Sequence, residues 1–126
     1  MNLITVPRLI PKGSNNPRYN LPYSNMEQKI QEYITHHMAN ETCYIFKPRN
    51  SSNESHADFM TNRVEDIVGR IVSVRDTDVI IEILNKEFFK KFENKIYVSI
   101  ASLSNIKDNK EIYIDKIVRF EAHIKG

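Results

Sequence analysis

Hydrophobic positions after residue 23 first follow a helical period. The apolar residues that form this stripe are Met26, Ile30, Tyr33, Ile34 and Met38. Ser24 and Glu27 precede the stripe at the spacing of a capping box, in which each side chain satisfies a backbone N–H at the helix start. Asn40 marks the end of the pattern. The sequence therefore predicts one amphipathic helix over residues 24–40.

The pattern then changes to the alternation of short β-strands. A strand is predicted over 42–47, before Pro48 and a polar loop. A β-hairpin is predicted over 67–84 with its turn at 76–78. Later segments are a short helix over 86–93, strands over 96–101, 111–114 and 117–124, a polar loop over 104–110 and an interruption at 115–116. In the last strand Val118, Phe120, Ala122 and Ile124 share one face, and Arg119, Glu121 and His123 share the other.

Strands this short and regular predict a mainly β fold, a small barrel that is closed or nearly closed. The phenylalanines of the short helix, Phe88, Phe89 and Phe92, are expected to plug one end of it, with the neighbouring lysines in solvent. Residues 24–126 are expected to form this single domain, with the amphipathic helix at its N-terminal end.

An extended arm is predicted over residues 1–23, which contain four of the five prolines of the chain. Proline fixes φ and lacks the donor that helices and sheets need, so this arm should be irregular. Apolar residues nevertheless recur along it, and they suit an arm that lies on its own barrel or on a neighbouring subunit. These partner-binding candidates are Leu3, Ile4, Val6, Leu9, Ile10, Tyr19, Leu21 and Tyr23.

The strand region resembles an OB-fold, and in particular the S1-type module. Residues 68–74 and 79–83 are similar to the first hairpin of that family, 98–103 to its third strand and 115–120 to its closing strand. The resemblance implies an OB-like barrel that binds single-stranded nucleic acid. Its turn at 76–78, however, holds two carboxylates and lacks the glycine and the base-stacking aromatic that are usual in the family. The candidates for this alternative function are Arg70, Lys90, Lys91, Tyr97 and Arg119.

Charge and chemistry favour a protein partner over duplex DNA or a substrate. The net charge of +2, from 18 basic and 16 acidic residues, is small for a duplex-DNA binder. The single cysteine, Cys43, forms no internal disulfide and suits a reducing interior. The adjacent His36 and His37 point about 100° apart on a helix and share no metal easily. Asp76 and Asp78 suit a turn. We expect no catalytic residue, no metal and no cofactor.

Location and partner are expectations from composition. Leu3 to Ile10 is broken by Pro7 and Arg8, so no signal peptide is expected, and no stretch is long enough for a membrane span. A cytoplasmic or virion location follows. The leading hypothesis is a non-enzymatic structural or assembly protein that joins other subunits, as a homo- or hetero-oligomer, through its arm. A phage virion component, such as a capsid-decorating or connector protein, would suit these features. The alternatives are the OB-like nucleic-acid-binding module and a small inhibitor of a host enzyme.

Overall fold

The computed structural model describes residues 2–49 and 54–126. The chain is mainly β, and a mixed sheet of six strands is its largest unit. Single-turn 3₁₀ helices at Val64–Asp66 and Glu93–Lys95 precede two of the strands. The helices and strands are β1 (Leu3–Pro7), α1 (Met26–Met38), β2 (Tyr44–Phe46), α2 (His56–Met60), β3 (Ile67–Val74), β4 (Asp78–Ile83), α3 (Lys86–Phe92), β5 (Ile96–Lys107) and β6 (Glu111–Ile124). No helix in the described parts is long and apolar enough to cross a membrane.

The strands follow one another across the sheet in the order β1-β4-β3-β2-β6-β5. Neighbours are antiparallel except β2 and β6, which are parallel. The two terminal strands approach each other at one parallel bridge between Arg8 and Val98, where the Leu9 N–H donates to the Val98 carbonyl at 2.8 Å. The sheet is not closed by a ladder among the described residues. The β-rich fold class is therefore confirmed, and the closed OB-like barrel stays a prediction.

The N-terminal arm differs from the irregular segment that its prolines predicted. Residues 3–7 form β1, which pairs with β4 at the edge of the sheet. The Arg8 N–H donates to the Thr77 carbonyl and the Ile83 N–H to the Asn2 carbonyl, so even-numbered arm residues bond to β4. Pro7 therefore faces away from β4, and its missing N–H removes no bond from the ladder. The expectation of an irregular arm is wrong for this segment.

Helix α1 lies within the predicted range, but the predicted capping box does not form. Asn25 is the N-cap and makes no side-chain cap bond to the helix. Its side chain instead exchanges two hydrogen bonds of 2.9 Å with the backbone of Ile114, and the Ser24 hydroxyl donates to the Ile112 carbonyl. The reason is the short β2, which covers only part of the β6 edge. The rest of that edge needs partners for its buried backbone groups.

The β5–β6 hairpin is longer than the sequence pattern indicated. The predicted loop over 104–110 is wrong, because β5 continues to Lys107 and the turn is confined to the next three residues. Asp108 and Asn109 both have positive φ, 53° and 54°, which these residue types tolerate in a tight hairpin turn. The interruption at 115–116 is also wrong. β6 runs through it, with the shift of register that a bulge produces.

The core lies between the sheet and the helices α1 and α3. Ile45, Ile81 and Phe120 are among its most deeply buried side chains, and Val6 and Ile10 of the arm belong to the same cluster. Tyr33 of α1 packs edge-on against Phe120. The expected burial of the phenylalanines of the short helix is confirmed for two of the three, and Phe92 is half-buried. Phe88 and Phe89 of α3 are buried, whereas Lys90 and Lys91 are exposed.

Candidate functional site

Two clefts open where the ends of the sheet meet, one on each side of the Arg8–Val98 bridge. The larger cleft has a volume of about 710 Å³ and lies on the side of the bridge towards which both strands run. Its wall includes Leu9 and Ile10, which follow Arg8, and Ser99, which follows Val98. We call it the seam cleft. The smaller cleft has a volume of about 570 Å³ and lies on the other side of the bridge, between β1, Ile96 and α3. We call it the α3 slot. Both clefts exist because the terminal strands diverge on leaving the bridge.

Three ionisable side chains, joined by hydrogen bonds, line the floor of the seam cleft. Arg119, Glu121 and His123 project from alternate positions of β6, as the strand period requires. The Arg119 Nε donates to Glu121 Oε2 at 2.7 Å, and His123 Nε2 lies 2.9 Å from Glu121 Oε1. The side chains of Arg119 and Glu121 are only 1% and 7% exposed. The predicted polar face of β6 is therefore largely buried.

The neighbours of Glu121 stabilise its ionised form. Burial raises the pKa of this carboxyl, but hydrogen bonds from His123 and Arg119, together with their charges, outweigh burial and lower the pKa overall. Glu121 is thus ionised at neutral pH. A buried ion pair of this kind needs further hydrogen bonds to offset the loss of hydration.

Arg119 also holds the segment that follows β2 onto the sheet. Its Nη1 donates to the Phe59 carbonyl at 2.7 Å and lies 3.3 Å from Asn62 Oδ1, and its guanidinium stands 5.1 Å from the centre of the Phe59 ring. Arg49 donates to the carbonyls of Asp58 and Thr61 at 3.1 and 2.8 Å. Within the described chain the Arg119 Nη2 donates no hydrogen bond. This group therefore remains free on a side chain that lines the cleft.

The edge strand β5 gives access to this floor. Across the hairpin, Ser99 pairs with Glu121 and Ala101 with Arg119, so two small side chains lie beside the buried ion pair. Tyr97 pairs with His123 and stacks on it, with ring centres 5.7 Å apart. The floor is thus covered at its His123 end and open towards the free edge of β5.

The backbone of β5 faces the cleft with unused hydrogen-bonding groups. The Lys125 N–H donates to the Lys95 carbonyl, so in this register odd-numbered residues bond to β6. The backbone N–H and C=O groups of Val98 and Ile100 therefore point away from β6, towards the free edge of β5. The Val98 carbonyl accepts a hydrogen bond from the Leu9 N–H, and β5 is the last strand of the sheet. Beyond the bridge, the edge from Ile100 onwards has no neighbouring strand in the described structure.

The rim of the cleft is basic and aromatic. The Arg18 guanidinium lies 5.2 Å from the centre of the Tyr19 ring, and both side chains line the cleft. Outside the lining of the cleft, next to Ile106 in the sequence, the Lys107 ammonium stands 3.9 Å from the centre of the Tyr113 ring. Arg18 forms no ion pair with any described residue. The cleft therefore offers positive charge at its mouth as well as at its floor.

The predicted arm residues separate into three groups. Val6 and Ile10 are buried in the core. Ile4, Leu21 and Tyr23 are half-buried. The exposed members are Leu3, Leu9 and Tyr19, and the last two line the seam cleft.

The five predicted nucleic-acid contacts are not brought together. Arg70 is paired with Glu82 of β4 at 2.5 Å. Lys90 borders the α3 slot, and Lys91 lies over the Phe92 ring. Only Tyr97 and Arg119 lie on the outer face of the β5–β6 hairpin.

Sequence reasoning missed three residues of the site. Arg49 and Phe59 reach the floor only through the fold, because they lie in the segment that crosses the sheet. Glu121 had a signal in the sequence. Three ionisable side chains at alternate positions of one predicted strand, Arg119, Glu121 and His123, would have suggested a paired cluster.

Other reactive side chains lie away from the seam. Cys43 is fully buried, and burial raises the pKa of its thiol to about 11, which leaves little thiolate at neutral pH. The rings of His36 and His37 are 5.0 Å apart, and burial, with a smaller effect of His36, lowers the pKa of His37. Among the described residues no three potential ligands gather as a metal site would need.

Comparison with known proteins adds no relative. No protein-family model, curated protein or solved structure matches the chain.

Proposed function

We propose that the protein is a non-enzymatic assembly protein that acts through protein–protein contacts, and that its seam cleft takes up an extended segment of a partner polypeptide. The observation that carries this proposal is the free edge of β5 beside the cleft. An extended segment adds to such an edge by main-chain hydrogen bonds, and its alternate side chains enter the neighbouring pockets.

The two terminal strands of the sheet differ in how their edges are protected. Natural proteins blunt edge strands by shortness, proline or charge, since a free edge pairs readily with another chain. β1 has five residues and carries Pro7 on its free side. β5 has 12 residues, no proline and a single charged residue, Lys107. This contrast supports β5 as the edge that receives a partner.

Apolar side chains near the free edge offer anchors for a partner. Leu9 and Tyr19 of the arm are 39% and 48% exposed and line the cleft. Ile106 of β5, also in its wall, is 44% exposed. The arm thus contributes to the proposed contact from its position on its own domain, rather than by reaching across to a neighbour.

The non-enzymatic role is supported by the positions of the groups that catalysis would use. The Cys43 thiol is buried and protonated. Glu121 is fixed between Arg119 and His123, which engages both of its oxygens. A general base needs a free oxygen or nitrogen within reach of a substrate proton.

Selection of short random peptides displayed on phage tests this function. Peptides that bind should lose affinity for the Ile106→Lys variant, because the new charge blunts the edge and removes an anchor. The matched control is Val64→Lys, which places the same charge at an apolar residue that is 79% exposed and lies outside the seam cleft. Failure to select any peptide, or equal binding to both variants, would contradict the proposal.

Single-stranded nucleic acid is the second candidate, favoured by one basic and aromatic pair at the rim and a second pair outside it. Bases stack on aromatic side chains while cations follow the backbone, as Arg18 with Tyr19 and Lys107 with Tyr113 would allow. Fluorescence anisotropy with a labelled oligonucleotide tests it. Binding that weakens as salt rises and is lost in Tyr19→Ser would favour this candidate, and no binding at low salt would exclude it.

A further inference from the structure

The Arg119 guanidinium is buried with part of its donor capacity unused. An arginine has five N–H donors. Nε–H is used by Glu121 and Nη1 by Phe59 and Asn62, whereas Nη2 has no partner within the described residues. The side chain is 1% exposed, and because Nη2 is unpartnered without being fully buried, this exposed part includes Nη2. A charged donor that reaches the cleft without a protein partner favours an acceptor on a ligand.

The positive charge of Arg119 has a single carboxylate partner among the described residues. Its carboxylate partner, Glu121, is shared with His123. Glu121 is the only acidic side chain that lines the described cleft, against Arg18, Arg119 and Arg49, of which Arg49 is paired with Glu54 just outside the lining at 3.3 Å. In addition, Arg18 forms no ion pair with any described residue, whereas the other basic residues of the arm, Arg8 and Lys12, are paired with Glu27 and Asp76. An acidic ligand would complement this charge.

The side chains of β5 leave a path from its free edge to Arg119. The strand-pair partner of Arg119 is Ala101, whose side chain is a single methyl group. A strand added to the free edge would lie about 4.8 Å from β5 and would present alternate side chains on the outer face, next to Ala101. A glutamate at that position would extend over Ala101 in the direction of Arg119.

We infer that the partner segment carries an acidic side chain which passes over Ala101 and pairs with the Nη2 of Arg119. This inference rests on the proposed function, and it names the chemistry of the partner. Main-chain bonding to β5 would hold the segment, and the charge-assisted bond to Arg119 would fix its register, since a carboxylate placed elsewhere along the strand would miss the guanidinium.

The inference is tested with the peptides selected above. They should be enriched in glutamate or aspartate, and replacing that residue by glutamine should weaken binding about tenfold or more, as expected for a hydrogen bond between charged groups. Ala101→Val should weaken the acidic peptide and leave the glutamine peptide nearly unchanged, because the larger side chain closes the path without removing Arg119. The side-chain NMR signals of Arg119 should shift with the acidic peptide alone.

The outcomes separate the inference from the function on which it rests. Equal affinity of the acidic and glutamine peptides, with both binding at β5, would overturn the inference and leave the function in place. If no peptide binds, the function itself fails. An oligonucleotide that displaces the acidic peptide and shifts the Arg119 signals would assign Arg119 to phosphate recognition and overturn the inference as well. The signals of Arg119 are used because substitution of this buried residue could unfold the protein.

Discussion

At the scale of single residues, Gly69 shows how tightly the centre of the sheet is packed. A Cβ added there would lie 2.7 Å from Ile81 Cγ2 and 2.9 Å from the Glu82 carbonyl. The second contact is backbone and cannot move aside. We expect Gly69→Ala to lower the free energy of unfolding by about 1–3 kcal/mol, measured by urea denaturation. Gly126→Ala is the control, since its Cβ would meet nothing within 4 Å. Equal stability of the two variants would contradict this packing.

The buried ion pair predicts a dependence of stability on pH. Because its neighbours lower the pKa of Glu121 in the folded state, its contribution is fully present above the ordinary value of 4.5. It is lost as pH falls through the lowered folded-state pKa. We expect Glu121→Gln to cost about 3–5 kcal/mol near neutral pH, since Arg119 is left uncompensated, and to cost less in acid. Urea denaturation across this pH range measures both. A difference that stays constant with pH would contradict the pairing.

At the scale of elements, the sequence pattern predicted the strands and the helix whose formation depends on residues close together in the chain. The β3–β4 hairpin and α3 follow from alternation, from turn residues and from three phenylalanines that a short helix can bury. β1 was missed because its pairing depends on β4, more than seventy residues further along the chain. The outer half of β5 was missed because polar residues such as Ser104 and Asn105 indicate a loop, whereas an exposed half of a hairpin accepts them without cost to the core.

The arm provides a test of its place in the fold. Val6 is 5% exposed and packs in the core, whereas Leu3 of the same strand is 48% exposed. Val6→Ala should therefore lower the free energy of unfolding by about 1–3 kcal/mol, and Leu3→Ala should change it by less than about 0.5 kcal/mol. Thermal or urea denaturation compares the two. An arm that folds independently of the domain would give two equally small effects.

At the scale of the whole molecule, the candidate site follows from the way the sheet ends. β1 and β5 meet at one bridge, and their divergence opens the seam cleft. The sequence placed Arg119, Glu121 and His123 on one face of a strand, which is the floor of the site. It did not indicate that the arm and the segment around Phe59 would enclose that face, because their positions depend on strand order. Strand order is a property of long-range pairing, which no local pattern encodes.

The central claim is that the free edge of β5 receives a partner strand. The most direct measurement is hydrogen exchange at single residues, by NMR, with and without a selected peptide. We predict slower exchange of the Ile100 amide, which faces the free edge, while the Ser99 and Ala101 amides, already bonded to β6, change little. Slowing that is absent from β5 and appears instead around the α3 slot would contradict the claim.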